Sequence, residues 1–285
     1  LISTGLFTLH RFPIQVQQNE PVVLYAFGDV HRDSPLCSTY EWQRFLAQAE
    51  REKAYLLGMG DYIDFASTGE RKRLSQAELH ETTLHTFEDV ADRRVAQLAE
   101  ELRPFEGRIV SLLEGNHYFA YGSGITSTQK LCEELKCHYA GASAFIRLAL
   151  HRNKNSKGGS VCDVWAHHGR GASRFLGGSL NRVQQMQEQA DASIFAMGHD
   201  HKRSVGSNAK LCLSQGGGGL RLIHRRQVFV RTGSFLKGFE RDTVSYAADG
   251  AMSPNDIGPV RLELTLCRDQ REGNDYQEVE VKATL

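Results

Sequence analysis

The sequence predicts an α/β fold of two packed β-sheets with helices outside, and three observations predict it. Up to about residue 200, short apolar runs of strand length alternate with longer stretches of helical periodicity. Beyond that point the apolar residues alternate in successive segments, the pattern of strands following one another without helices. Five of the apolar runs also end in clusters of glycine with Asp, Asn or His. Layered α/β folds place function at such strand ends.

A chain of 285 residues suits one large domain or two small ones. With no internal repeat and no convincing linker, we read 1–285 as one domain, with a polar insertion at about 66–107 and a β-rich C-terminal part. Lys+Arg and Asp+Glu are both 34, which argues against a protein that coats nucleic acid but leaves room for a local basic groove. The six cysteines are scattered with no C-x-x-C pair, so reduced thiols in a cytoplasmic protein are expected rather than disulfides or a zinc knuckle. No apolar stretch approaches the ~20 residues that span a bilayer, and no basic-then-apolar leader opens the chain. A membrane partner is therefore not expected, while Leu1 in place of Met suggests that something preceded it.

Taken in order, Phe7, Leu9, Phe12 and Ile14 suggest a short edge strand before Pro21. The run 22–27 reads as a buried strand ending in Gly28-Asp29-Val30-His31. A helix over about 40–53 follows, its apolar face made by Trp42, Phe45, Leu46 and Ala49. Strand 54–59 leads to Gly60-Asp61-Tyr62-Ile63-Asp64. Within the insertion, Ser75 and Glu78 fit a capping box for a long helix running to Leu102, stopped by Pro104. Strand 108–113 delivers Glu114-Gly115-Asn116-His117, and Thr126 with Gln129 caps a shorter helix. Strand 144–150, a polar turn at 153–160 and strand 161–166 bring in His167-His168-Gly169. A helix over 180–190 precedes strand 193–197 and Gly198-His199-Asp200-His201. Segments 220–224, 227–231, 261–266 and 278–282 alternate as strands, with 216–219 as a flexible loop.

These five blocks, in this order, resemble the calcineurin-like metallophosphoesterase superfamily, and Val230-Arg231-Thr232-Gly233-Ser234 resembles the strand and Gly-Ser turn closing that family's core. The resemblance implies a four-layer αββα sandwich of two mixed sheets holding two divalent metal ions. It implies that Asp29, His31 and His201 hold the first ion, that Asn116, His167 and His199 hold the second, and that Asp61 bridges them. Imidazole, carboxylate and amide ligands without thiolate suit Mn, Fe, Zn or Ni, with Mn expected. The resemblance further implies hydrolysis of phosphoesters by a metal-bridging hydroxide, with His117 protonating the leaving oxygen and Asp64 orienting it. Tyr118 departs from the Asp or Glu of many relatives, and Phe65 from the arginine of protein phosphatases.

Other residues have plainer readings. His10, His80, His85, His138, His151 and His224 are expected to be structural, and Asp33 and Asp200 to be solvated loop carboxylates. Arg32, Arg170, Arg174, Lys202 and Arg203 lie beside the motifs, and Arg32, His168 and Arg170 are candidate substrate contacts. His168 also rivals His167 as the ligand. Tyr118, Phe119 and Tyr121 are either stacking surfaces for a base or a packed loop wall. A phosphodiesterase, with nucleic acid among its candidate substrates, is the first expectation. A phosphomonoesterase on nucleotides or phosphoproteins and a non-catalytic scaffold of the same fold are the alternatives.

Overall fold

The computed structural model describes residues 8–65, 68–77, 80–152, 159–171, 173–216, 219–243, 245–251, 253–271 and 274–285. Its strands are β1 (Thr8–Gln15), β2 (Pro21–Phe27), β3 (Tyr55–Gly58), β4 (Ile109–Leu112), β5 (Ser143–His151), β6 (Gly159–His167), β7 (Ile194–Met197), β8 (Ser204–Gly216), β9 (Gly219–Arg231), β10 (Val260–Arg271) and β11 (Asn274–Thr284). They form two mixed sheets, ordered β1-β5-β6-β7-β9-β8 and β11-β10-β2-β3-β4. In the first, β6, β7 and β9 run parallel; in the second, β2, β3 and β4 do.

Strand alternation sorts the side chains into layers. Leu24 and Ala26 of β2, Val164 and Ala166 of β6, Val228 and Val230 of β9 and Leu262 and Leu264 of β10 share one core between the sheets. Tyr25 and Phe27 point the other way, onto Trp42 and Phe45 of α1 (Thr39–Arg51) and Val95, Leu98 and Leu102 of α3 (Glu81–Leu102), with α4 (Ser127–Glu134) closing that layer through Leu131. On the far side, Trp165, Phe195 and Phe229 pack on Val183 of α5 (Leu176–Gln185). The order is helix, sheet, sheet, helix. Among the described residues no helix is long and apolar enough to cross a membrane.

Some elements differ from expectation. The insertion forms two helices, α2 (Thr68–Gln76) and α3, and Ser75 falls inside the first. The cap of α3 is His80, whose ring accepts from Thr82 N; Glu78 lies outside the described residues. The Thr126–Gln129 capping box is present as expected. The segments 220–224 and 227–231 are one strand, β9, paired along its length with β8, which Gly206, Ser207 and Asn208 hide by interrupting the apolar alternation. The helix expected over 180–190 starts earlier, at Leu176. Residues 153–158 of the expected turn lie outside the described residues.

Candidate metal centre

The loops that leave the C-terminal ends of β2, β3, β4, β6, β7 and β9 meet at one edge of the sandwich and are locked to one another. Asp29 N donates to Gly60 O (2.9 Å), Val30 N to Asp61 O (2.8 Å) and Arg32 N to Tyr62 O (2.9 Å), which binds the β2 and β3 loops together. His199 N donates to Asp29 Oδ2 at 2.9 Å, and Ser234 Oγ to Asp29 O at 2.9 Å, which ties in the loops after β7 and β9. A Cβ at Gly115 would sit 1.8 Å from Asp61 Oδ1, so only glycine lets the β4 loop approach.

Backbone strain collects at this edge. Asp29, His31, Asp61, His199 and His201 all have positive φ, between 45° and 79°. The left-handed region costs a residue with a Cβ about 1–2 kcal/mol. Five such residues around one point need a compensating role, and strain of this kind clusters at functional sites.

Three groups of ligand-type atoms converge there: Asp29, His31 and His201; His31, Asp64 and His117; and Asp61, His168 and His199. Asn116 joins the last group, its Oδ1 lying 2.9 Å from His168 Nε2 and 2.6 Å from His199 Nδ1. His168 Nδ1 is 2.7 Å from Met59 O, a carbonyl that can only accept, so the neutral ring carries its proton on Nδ1 and keeps the lone pair on Nε2. That lone pair then faces the amide oxygen of Asn116 and, at 3.4 Å, Asp61 Oδ2. Electron-rich atoms in that arrangement need a proton or a cation between them. Asp29 Oδ1 is buried without a hydrogen-bond partner, 3.4 Å from His201 Nε2, and both buried ring nitrogens of His31 lack one as well. His31 Nδ1 lies 3.2 Å from Asp64 Oδ1 but is poorly aligned for a bond. The residues present thus fit divalent cations: hard and borderline donors that converge on one space, those of Asp29 Oδ1 and His31 buried and unsatisfied.

Electrostatics follow from burial and pairing. Burial works against charge on Asp61, but the hydrogen bond and charge of His168 outweigh it and hold the carboxyl well below the usual range. Burial likewise disfavours an imidazolium at His168, and the hydrogen bond to Asp61 overrides it, pushing the ring up to about 9. Without cations the centre holds itself together by sharing protons. Burial, then the neighbouring His168, lowers His167 and His199.

The group around Asp61 differs from the one expected. His168, not His167, joins Asp61, Asn116 and His199. The cause is the pleat: Cys162, Val164 and Ala166 face the inter-sheet core, and His168 continues their side, whereas His167 continues that of Trp165. The lone pair of His167 Nδ1 is also taken, by Gly169 N at 2.7 Å. Asp64 Oδ1 is 2.6 Å from His117 Nδ1, the pairing expected, although the alignment is not that of a good hydrogen bond.

The basic residues are placed differently from expectation. Arg32 grips Glu101 with Nε (2.9 Å) and Nη2 (2.8 Å), while Trp42 Nε1 donates to the same carboxylate at 2.6 Å. That engagement, not a substrate, accounts for Arg32. Arg203 donates to Ile257 O at 3.0 Å. Arg170 is exposed, its carbonyl accepting from Arg182. Phe119 and Tyr121 are buried against Ala91 and Phe87, so they are loop wall rather than stacking surface. Asp200 is no solvated carboxylate but is fully buried with Arg231, whose Nε donates to it at 3.0 Å. Asp33 Oδ1 accepts from Asp64 N and so holds the β3 loop.

A scan against protein-family models finds no match, and a search of curated proteins finds none either.

Proposed function

We propose that the chain is a dimetal phosphoesterase acting on phosphodiesters. The observation that carries this reading is the convergence of ligand-type atoms from Asp29, His31, Asp61, Asn116, His168, His199 and His201 at separate strand ends, with Asp29 Oδ1 and both ring nitrogens of His31 buried without a hydrogen-bond partner. Asp29, His31 and His201 would hold one cation, and Asn116, His168 and His199 the other. Asp61, with one oxygen toward His168 and the other accepting from His117 N at 2.7 Å, would be the carboxylate shared by the two. Two bound cations supply Lewis acidity and a nucleophile generated from water at neutral pH.

The chain's own residues do the rest. Asp64 holds Nδ1 of His117, which leaves Nε2 to carry a proton toward the leaving oxygen. The protein ligands contribute two carboxylates, from Asp29 and Asp61, against four cationic charges, so the site attracts an anion. With Arg32 and Arg203 engaged elsewhere, the singly charged diester suits it better than the doubly charged monoester. The test is hydrolysis of a bis-aryl phosphate against the matching monoester after chelation and return of Mn²⁺. Faster diester cleavage, lost in Asp61→Asn, is the expected result. Faster monoester cleavage would redirect the reading to a phosphatase, and no turnover of either would sink it.

A further inference from the structure

Among the described residues the insertion contributes none to the three ligand-type groups, yet one of its side chains reaches the loop that carries Asn116 and His117. Arg71, on α2, donates from Nη1 to Asn116 O at 2.8 Å and to Tyr118 O at 3.2 Å. Its guanidinium carbon also lies 3.6 Å from the centroid of the Tyr118 ring. The two carbonyls flank His117. The same segment is tied from the other side by His117 N on Asp61 Oδ1 at 2.7 Å, and the ring meets Asp64.

We propose that Arg71 is a positioning residue that sets the Asn116–His117 segment, so that the insertion aims both a cation ligand and the acid. The guanidinium sits over the tyrosine ring while its Nη1 serves both carbonyls, a combination that the compact ammonium of a shorter lysine reproduces poorly. The insertion has a separate anchor for this task. Phe87 and Ala91 of α3 pack with Phe65, Phe119 and Tyr121, Glu88 Oε1 accepts from Gly122 N at 2.9 Å, and Asp92 pairs with Lys130 at 2.6 Å. The insertion thus grips the loop leaving β4 along 116–130. Tyr118 has a part in this as well: its ring is the surface on which the Arg71 guanidinium rests.

The kinetic part rests on the phosphoesterase reading, whereas the positional part does not, and the experiment separates them. Arg71→Ala is compared with wild type on a diester with a nitrophenyl leaving group and on one with a phenyl leaving group. Alongside, the imidazole NMR signals of His117 are recorded, assigned through His117→Gln, and bound Mn²⁺ is counted. Misplacing an acid by about an ångström predicts a fall in kcat of roughly 10–100-fold on the phenyl ester. The nitrophenyl ester should lose less, since it needs less protonation. KM should hold within about twofold, because the loss falls on the transition state. The His117 signals should move, added guanidinium should recover part of kcat, and Arg71→Lys should resemble Arg71→Ala. Tyr118→Leu, which keeps the guanidinium but removes its surface, should lose less in the same direction, and it serves if Arg71→Ala fails to fold. A raised KM with kcat intact would make Arg71 a substrate contact and overturn the proposal, as would unmoved His117 signals. If wild-type protein turns over neither ester, the phosphoesterase reading falls, and the His117 signals alone decide the positioning role.

Discussion

Two buried polar clusters lie a few residues apart in this molecule, and they are built oppositely. Glu114 is buried and fully answered: Thr126 Oγ1 and Thr128 Oγ1 each donate at 2.6 Å, and Tyr139 Oη at 2.8 Å. Asp200 and Arg231, also buried, form an ion pair in which Arg231 Nε donates to Asp200 Oδ1, although Nη1 of the guanidinium has no hydrogen-bond partner. In the neighbouring cluster Asp29 and His31 keep unpaired donor atoms, and five residues hold left-handed backbone. Burying a polar group unanswered costs about 1–3 kcal/mol. A fold that satisfies Glu114 three times over and leaves Asp29 short is reserving the second set of atoms for something else.

The contrast breaks most easily at Asp61. Asp61→Asn should cost turnover several kcal/mol of transition-state stabilisation, roughly 10³-fold, measured on the diester with Mn²⁺ present. In chelator at neutral pH the same variant should melt below the wild-type temperature, because it takes the counter-charge from His168. Asp200→Asn should lower stability further, by about 3–5 kcal/mol in denaturant titration, since it leaves Arg231 buried without its counter-charge. Glu114→Gln should cost a smaller amount, about 1–3 kcal/mol, with bound metal unchanged.

Proton competition sharpens the comparison further. His168 is pushed up to about 9 in the folded chain, against 6.5 for the free group. In chelator its contribution to stability is full below pH 6.5 and is lost as pH rises through 9. Ligation needs the neutral ring, so the melting-temperature gain on adding Mn²⁺ should grow over that window. A gain that is flat between pH 6.5 and 9 would remove the His168–Asp61 pair from the account. The smallest expected effect is at Arg32, where Ala should cost about 1 kcal/mol of stability through Glu101 and leave kcat and KM unchanged.

Much of this was legible beforehand because strand ends announce themselves. Apolar runs followed by Gly-Asp or Gly-His located Asp29, Asp61, Asn116 and His199 without any structure, and periodicity found α1 through Trp42, Phe45 and Ala49. Choosing His168 over His167 needed the phase of the pleat; Cys162, Val164 and Ala166 carry that phase, but Val161 and Trp165 are apolar too and blur it. Asp200 was misread because its partner, Arg231, lies 31 residues away and only tertiary structure brings it in. Arg71 gave no signal at all, being one charge among several in a polar insertion.

Whether His168 or His167 completes the proposed two-cation centre is decided by counting bound ions. Metal-stripped wild type, His168→Ala and His167→Ala would each be titrated with Mn²⁺ by calorimetry. The prediction is about two ions for wild type and for His167→Ala, and about one for His168→Ala. Two ions retained by His168→Ala, with one lost from His167→Ala, would contradict it.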